Sequence, residues 1–312
     1  MHKEIPQISI IMATYNRQQF ILESLLSIQN QTYTNFECLI IDDGGTDNTL
    51  ENITSLLERD SRFTYHKRNN KYLKGLSGTR NCGLDFAKGT YIIFFDDDDI
   101  VHPQNLEICI KELQQFDIDF CRYLRTAFIN TFDYNFDLTK SFTKFKIDIN
   151  NIQEIIKDEL PLNSCAIMWK KKCFFENRFV ENLMYAEEWE LYTRIISKGF
   201  KGISINKTLF FGRKHQKSNT GEFYNNDPIR RESKSNAIIL VIKLLNENKL
   251  LSNHILKYFI STSIDFKEFR LFDNILKLID LSIFGTLKWK IYYHSYCFRA
   301  PIYKIRKQFS NL

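Results

Sequence analysis

Long apolar runs are missing from this sequence. A membrane-spanning helix needs roughly 18 or more apolar residues in a row, and no such run occurs. The first residues, MHKEIPQISIIMATYNR, also lack the basic region, apolar core and small-residue cleavage site of a secretory signal peptide. We therefore expect a cytoplasmic protein.

The cysteines lack the spacing of a zinc site or of a disulfide framework. There are seven of them, an odd number, scattered along the chain and never arranged as C-x-x-C. We expect reduced thiols, as in most cytoplasmic proteins.

Acidic residues are absent from the C-terminal tail. From Lys288 onward the chain has six Lys or Arg residues and no Asp or Glu. These six positive charges equal the net charge of the whole chain, +6. The rest of the chain is near neutral, so we expect no nucleic-acid partner. The aromatic and basic composition of 286–312 is typical of a segment that binds an anionic membrane surface. A packed helix with a solvated basic end explains that composition equally well.

Short β-rich runs alternate with helical patterns in the N-terminal half of the chain. The chain has 312 residues, 44% of them hydrophobic, which is enough for a large core. Strand-like runs occupy 8–16, 36–44, 63–69 and 90–99, and helical periodicity appears between them. This alternation predicts an α/β fold with a parallel sheet.

Polar residues follow three of these predicted strands. Ligands of such sheets bind outside the carboxyl ends of the strands. The polar residues at these ends are Thr14, Tyr15 and Asn16 after the first run, Asp42 and Asp43 after the second, and Asp96 to Asp99 after the fourth. Solvated loops would explain any one group, but a ligand site explains why all three share one edge.

The acids indicate a cation and a phosphate-bearing ligand. Carboxylates suit Mg²⁺ or Mn²⁺, and these ions keep coordination positions that phosphate oxygens fill. The glycine-rich phosphate loops G-x-x-x-x-G-K-[ST] and G-x-G-x-x-G are both missing. We therefore expect a nucleoside diphosphate bound through a metal ion.

Four segments in order resemble the nucleotide-sugar-dependent glycosyltransferases of family 2. They are ISIIMATYNR, QNQTYTNFECLIIDDGGTDNT, GLSGTRNCGLDFAKGTYIIFFDDDDIVHP and AEEWELYTRI, and the resemblance covers about residues 6 to 220. It implies a GT-A fold, which is an α/β, Rossmann-like, mostly parallel sheet flanked by helices. We expect a catalytic domain at 1–225 and a helical C-terminal region, with the basic aromatic tail, at 226–312.

The resemblance also implies a set of donor-binding residues. Tyr15 would stack on the nucleobase, Asp43 would accept a hydrogen bond from a uracil-like base, and Arg80 would approach the diphosphate. The full implied set is Thr14, Tyr15, Asn16, Asp42, Asp43, Arg80, Asp96, Asp97 and Arg213. Ordinary structural roles stay open: a core tyrosine, turn-forming aspartates and a salt bridge from Arg80.

The four aspartates correspond to the D-x-D region of that family. The implied metal ligands for Mn²⁺ or Mg²⁺ are Asp98, Asp96 and His215, the last from the segment LFFGRKHQKSNTG. Asp97 replaces the small residue usual in the pattern, so its register is ambiguous. A basic surface loop is the alternative for the segment that contains His215.

Glu187 and Glu188 match the place where the family usually has Glu-Asp. Glu188 would be the general base that takes a proton from the acceptor hydroxyl, although its side chain is one methylene longer than Asp. Two acids in the first turn of a helix, favoured there by the helix dipole, are the alternative.

The resemblance thus implies an inverting glycosyltransferase that acts on a saccharide or lipid-linked saccharide acceptor. Its location would be cytoplasmic, or peripheral at the inner face of the cytoplasmic membrane, and its apolar C-terminal helices are compatible with a homodimer. Two other functions stay open: a metal-dependent nucleotidyltransferase and a non-catalytic nucleotide-sugar-binding protein.

Overall fold

The computed structural model describes residues 5–139, 141–214, 219–279 and 281–296. The strands of this part of the chain are β1 (Ile8–Thr14), β2 (Phe36–Asp42), β3 (Phe63–Lys67), β4 (Tyr91–Phe95), β5 (Ile100–Val101), β6 (Phe120–Ile129), β7 (Lys144–Ile147), β8 (Ile167–Lys170) and β9 (Gly202–Lys214). Its helices are α1 (Ile21–Gln29), α2 (Thr49–Arg59), α3 (Leu76–Phe86), α4 (Asn105–Gln115), α5 (Ile152–Ile156), α6 (Glu187–Ser197), α7 (Asn219–Tyr224), α8 (Pro228–Glu247), α9 (Asn253–Asp265), α10 (Phe269–Leu278) and α11 (Ile283–His294).

The strands form one sheet in the order β3-β2-β1-β4-β8-β6-β9-β5, with β7 paired to β9. Strands β1 to β4 pair in parallel. They are rich in Ile and Phe, and β1 and β4 are almost entirely buried, as expected for parallel strands covered on both faces. The antiparallel pairs lie in the other half of the sheet: β8 pairs with β4 and β6, and β9 pairs with β5 and β7. The predicted α/β fold, with a mostly parallel sheet flanked by helices, is confirmed.

Helix α3 lies unusually close to β1. A Cβ atom added at Gly83 would stand 2.4 Å from Cγ2 of Ile11, so only glycine allows this approach. The close packing matters for the site because α3 carries Arg80, whose guanidinium donates to Asp96 after β4.

The chain divides into two compact units, residues 1–234 and 235–312. The first unit contains the whole sheet, and α8 contains the division. In the second unit, α9, α10 and α11 enclose a small core that includes Phe259, Phe272 and Trp289. The predicted boundary after residue 225 stays a prediction.

Within the described residues, we find no helix that combines the length and the apolar character needed to span a membrane.

Candidate functional site

Strands β1, β2 and β4 end at the same edge of the sheet. Thr14 at the end of β1 is in register with Asp42 at the end of β2, and β4 runs parallel to β1 on its other side. The polar residues that follow these strands therefore lie together at one edge. The parallel pairing of β1 with β2 and β4 accounts for the predicted grouping of these side chains at the carboxyl ends of the strands.

Tyr15 and Asn16 differ in their surroundings. Tyr15 is 46% exposed, and Nζ of Lys74 lies 4.6 Å from the centre of its ring. Asn16 adopts a left-handed backbone conformation (φ 53°), and its side-chain oxygen accepts a hydrogen bond from the Thr46 amide (2.7 Å). Asn16 thus ties the end of β1 to the loop after β2, while Tyr15 is partly exposed with the Lys74 ammonium over its ring.

Asp42 and Asp43 are buried and hydrogen-bonded. Asp42 accepts from the Tyr65 hydroxyl (2.8 Å) and from the Gly45 amide (3.0 Å). Asp43 accepts from Nε of Arg68 (2.5 Å) and from the Gly75 amide (2.9 Å). A cavity of about 220 Å³ lies beside Asp42, lined by Asp42, Gly45, Thr46, Asp47, Thr49, Leu50, Tyr65 and Lys67.

The four aspartates after β4 are held by arginines from other elements. Nε of Arg17 donates to Asp97 (3.1 Å), and its Nη2 lies 3.9 Å from an Asp98 oxygen. The backbone amide of Arg213 donates to Asp99 (2.6 Å). Burial raises the pKa of the Asp97 carboxyl to about 7, although Arg17 opposes this shift.

Arg80 connects the aspartates to the two glutamates of α6. Its Nη2 donates to Asp96 (3.1 Å), and its Nη1 lies 3.8 Å from Glu187 and 4.0 Å from Glu188. The Arg80 side chain is only 4% exposed, and its guanidinium group lies against the rings of Phe94 and Phe179, 5.6 Å and 5.5 Å from their centres. One buried cation therefore joins acids that are about 90 residues apart in the sequence.

Glu187 and Glu188 begin α6, directly after Ala186, which has a left-handed φ of 64°. Burial, together with the Glu188 charge, raises the pKa of the Glu187 carboxyl. Glu188 accepts hydrogen bonds from the Ser164 amide (2.9 Å) and from the Ser164 hydroxyl. About 27% of its side chain is exposed, so Glu188 is both oriented and accessible.

Desolvation and mutual repulsion disfavour the charged forms of two of the aspartates. They raise the pKa of Asp96, where Asp98 and Glu188 contribute, and the pKa of Asp99, where Asp96 and Asp98 contribute. A bound cation would relieve this repulsion.

Carboxylates in this arrangement fit Mg²⁺ or Mn²⁺. In the described part of the chain, no three His, Cys, Asp or Glu side chains are grouped to enclose a metal ion. A divalent ion held by Asp96 and Asp98 would therefore complete its coordination with water and ligand oxygens.

Arg213 is occupied by contacts within the protein. Its guanidinium donates to the backbone oxygens of Asp98 (2.9 Å) and Asn130 (2.6 Å), and also to Glu23. These contacts brace the strand β9 against the aspartates, and a direct role in donor binding stays a prediction. His215, predicted as a metal ligand, lies outside the described residues.

Sequence reasoning missed several residues of the site. Arg17, Arg68 and Ser164 bind Asp97, Asp43 and Glu188 respectively. Arg125, an exposed residue of β6, adds positive charge that opposes the raised pKa values of Asp96 and Asp99. Arg17 directly follows Asn16, one of the polar residues after the first strand, and this position in the chain is a signal for it. No motif marks Ser164 or Arg125.

The sequence matches known glycosyltransferases. The family model described as Glycosyl transferase family 2 matches residues 9–173. An uncharacterized glycosyltransferase of Rickettsia felis is 32% identical over 65% of this chain, and the chain spans only 32% of that relative's length. A UDP-Glc:alpha-D-GlcNAc-diphosphoundecaprenol beta-1,3-glucosyltransferase of Escherichia coli is 30% identical over 67% of this chain and 77% of its own length.

Solved structures share the fold. Residues 1–349 of S. aureus TarS, solved with UDP-GlcNAc, align with a TM-score of 0.63 at 17% identity, covering 87% of this chain and 79% of that one. A Pyrobaculum calidifontis mannosyltransferase, solved with GDP-Man and Mn²⁺, aligns with a TM-score of 0.58 at 13% identity, covering 94% and 81%. At these identities the likeness concerns the fold, which is that of GT-A glycosyltransferases.

Proposed function

The chain belongs to glycosyl transferase family 2, and on that premise we propose that it is an inverting, UDP-sugar-dependent glycosyltransferase. Its acceptor would be a hydroxyl of a saccharide or lipid-linked saccharide. The observation that carries the proposal is the contact of Arg80 with both Asp96 and the pair Glu187 and Glu188. Through Arg80, Asp96, which we propose for the donor, is linked to Glu188, which we propose as the base.

On the donor side, Tyr15 offers an exposed ring for a nucleobase, and Asp43 would accept a hydrogen bond from the base. Such a bond requires Asp43 to share the oxygens now bound by Arg68 and Gly75. Asp96 and Asp98 would hold Mn²⁺ or Mg²⁺. When bound, that ion supplies positive charge to the diphosphate leaving group. Arg17 and Arg80 keep the acids in place around it.

On the acceptor side, Glu188 would take the proton of the attacking hydroxyl. Ser164 fixes one carboxylate oxygen, which leaves the other available to the acceptor. The hydroxyl oxygen then attacks the anomeric carbon opposite the diphosphate, so an α-linked donor gives a β-linked product. Bringing the two substrates together and stabilising charge on the leaving group would supply the rate enhancement.

A lipid-linked acceptor is supported by the name of the Escherichia coli relative, which specifies a diphosphoundecaprenol-linked sugar. We place the protein in surface polysaccharide or lipooligosaccharide synthesis on that basis. It would act in the cytoplasm, peripheral to the inner face of the membrane, with 286–312 at the anionic surface. A homodimer is part of the same proposal.

Two other functions use much of the same site. A nucleotidyltransferase would share the acids but release pyrophosphate, whereas sugar transfer releases a nucleoside diphosphate. A non-catalytic binder would retain the donor and metal sites without turnover. Analysis of the products formed from UDP-sugars separates all three.

The test is calorimetric binding of UDP with and without Mn²⁺. We expect wild type to bind UDP much more tightly with Mn²⁺, and Asp98→Ala to lose this metal-dependent part. Asp117→Ala is the matched control, because Asp117 is an exposed acid paired with Lys201 and belongs to none of the site's contacts. UDP binding that ignores both the metal and Asp98→Ala would contradict the proposed site.

A further inference from the structure

Helix α11 has apolar residues on two opposite faces. One face packs within the C-terminal unit: Trp289 and Tyr293 are buried, and the Tyr293 ring stacks on Phe272 at 4.0 Å. The other face holds the α11 ridge, which we define as Ile283 (86% exposed), Phe284 (84%), Leu287 (53%) and Ile291 (60%). At 3.6 residues per turn these four side chains fall within one stripe of the helix surface. Solvation of such a stripe is unfavourable, so it is a candidate docking surface.

Positive charge borders the α11 ridge on both sides. Helical spacing places the exposed Lys288 along one border and the exposed Lys290 along the other. The helix Ile283–His294 contains no Asp or Glu. An apolar stripe flanked by lysines is the pattern of a helix that lies in the plane of a membrane surface.

A cleft between α9 and α11 adjoins the lysine border. Its volume is about 290 Å³, and it is lined by Asn253, His254, Lys257, Lys288, Trp289 and Tyr292. Nζ of Lys257 lies 5.8 Å from the Tyr292 ring, and Nζ of Lys288 lies 5.6 Å from the Trp289 ring. Ammonium groups with an amide and aromatic walls suit a phosphate ester, whose charge and adjoining carbon chain they would both contact.

We infer that α11 docks on an anionic phospholipid surface, with the α11 ridge inserted among the acyl chains and a lipid phosphate in the cleft. A second copy of the chain is a poorer occupant of this face. A symmetric contact between two ridges would bring the lysines of both helices together with no acid on α11 to neutralise them. The inference refines the membrane partner in the proposed function, but it requires no sugar transfer.

The test is co-sedimentation of the full chain with vesicles of phosphatidylcholine and phosphatidylglycerol at 7:3, compared with phosphatidylcholine alone. We expect tight binding only to the anionic vesicles, weakened by salt. Phe284→Asp with Ile291→Asp should lower the partition coefficient by about 100-fold, since it removes two inserted side chains. Lys288→Gln with Lys290→Gln should lower it about 25-fold, roughly fivefold for each lysine.

Two control variants remove the same kinds of side chain, an exposed aromatic residue and an exposed lysine, at positions outside α11. Phe175→Asp removes an exposed aromatic residue (70% exposed) of the first unit, and Lys243→Gln removes an exposed lysine of α8. Neither should change the partition coefficient. All variants should keep wild-type UDP binding and circular dichroism, which separates failure to dock from failure to fold.

Brominated lipids test the site directly. They should quench the fluorescence of Trp289, and this quenching should be lost in Trp289→Phe. Equal binding to neutral vesicles, or unchanged binding of both double variants, would overturn the inference. So would binding of inorganic phosphate without vesicle binding, or a ridge-dependent dimer in sedimentation velocity without vesicle binding. Because no donor or acceptor is present, none of these results bears on sugar transfer.

Discussion

Arg80 is the residue on which the arrangement of the site depends. Its guanidinium is buried and contacts Asp96, Glu187 and Glu188 at once. Removing such a cation would leave several acids without compensating charge, and the planar fork of arginine serves several acids in a way that lysine does not. Arg80 is therefore a structural counter-ion of Asp96, Glu187 and Glu188, the acids proposed for donor binding and catalysis.

At the same scale, Glu188→Gln tests the proposed base. An amide keeps the shape and can still accept from Ser164, but it cannot take a proton. We expect kcat to fall at least about 100-fold, with UDP binding unchanged. Steady-state release of UDP in the presence of acceptor measures this, with the exposed Glu176→Gln as control. Wild-type turnover by Glu188→Gln would remove Glu188 from the mechanism.

At the scale of the elements, the contact of α3 with β1 sets the position of Arg80. Gly83→Ala introduces a Cβ that would stand 2.4 Å from Cγ2 of Ile11. Overpacking of this kind costs about 1–3 kcal/mol, and the better helix propensity of alanine offsets up to about 1 kcal/mol. We expect a net loss of stability in urea unfolding.

Ile11→Ala provides the control for that prediction, because it removes the atom that clashes. In an Ile11→Ala background, Gly83→Ala should be neutral or stabilising, so the two substitutions should not be additive. If Gly83→Ala cost the same in both backgrounds, the close contact between α3 and β1 would not be the reason for glycine at this position.

At the scale of the whole molecule, thiols are buried throughout the first unit. All six cysteines in the described residues are free and buried: Cys38, Cys82, Cys109, Cys121, Cys165 and Cys173. Burial raises the pKa of the Cys38, Cys109 and Cys165 thiols, and it raises the pKa of Cys173 to about 12.

Stability should therefore fall at alkaline pH. A thiol whose pKa is raised in the folded state contributes its full stabilisation below the unfolded pKa of about 8.5. That contribution is lost as pH rises toward the folded pKa, because only the unfolded chain releases the proton. Each such thiol lowers the unfolding free energy by about 1.4 kcal/mol per pH unit in that window.

Urea unfolding with reductant at pH 7.5, 8.5 and 9.5 measures this decline. Cys38→Ala should make it shallower by the contribution of one thiol. A stability that does not change with pH over this range, or an identical slope in Cys38→Ala, would show that these thiols ionise in the folded protein.

The sequence by itself determined the alternation of strands and helices and the polar residues at strand ends. It could do so because both depend on local patterns: apolar runs of strand length, helical periodicity, and the rule that parallel strands end at one edge. The resemblance of four segments added the family, which the family model confirmed.

Only the tertiary structure decided which charges meet and which apolar surfaces stay exposed. Arg80 of α3 contacts both Asp96 after β4 and Glu188 at the start of α6, and no periodicity in the chain encodes that pairing. Likewise, α11 has apolar residues on two faces, and its sequence does not say which face is covered. Packing of Tyr293 against Phe272 decides it and leaves the α11 ridge exposed, because a helix can bury only the face that its neighbours reach.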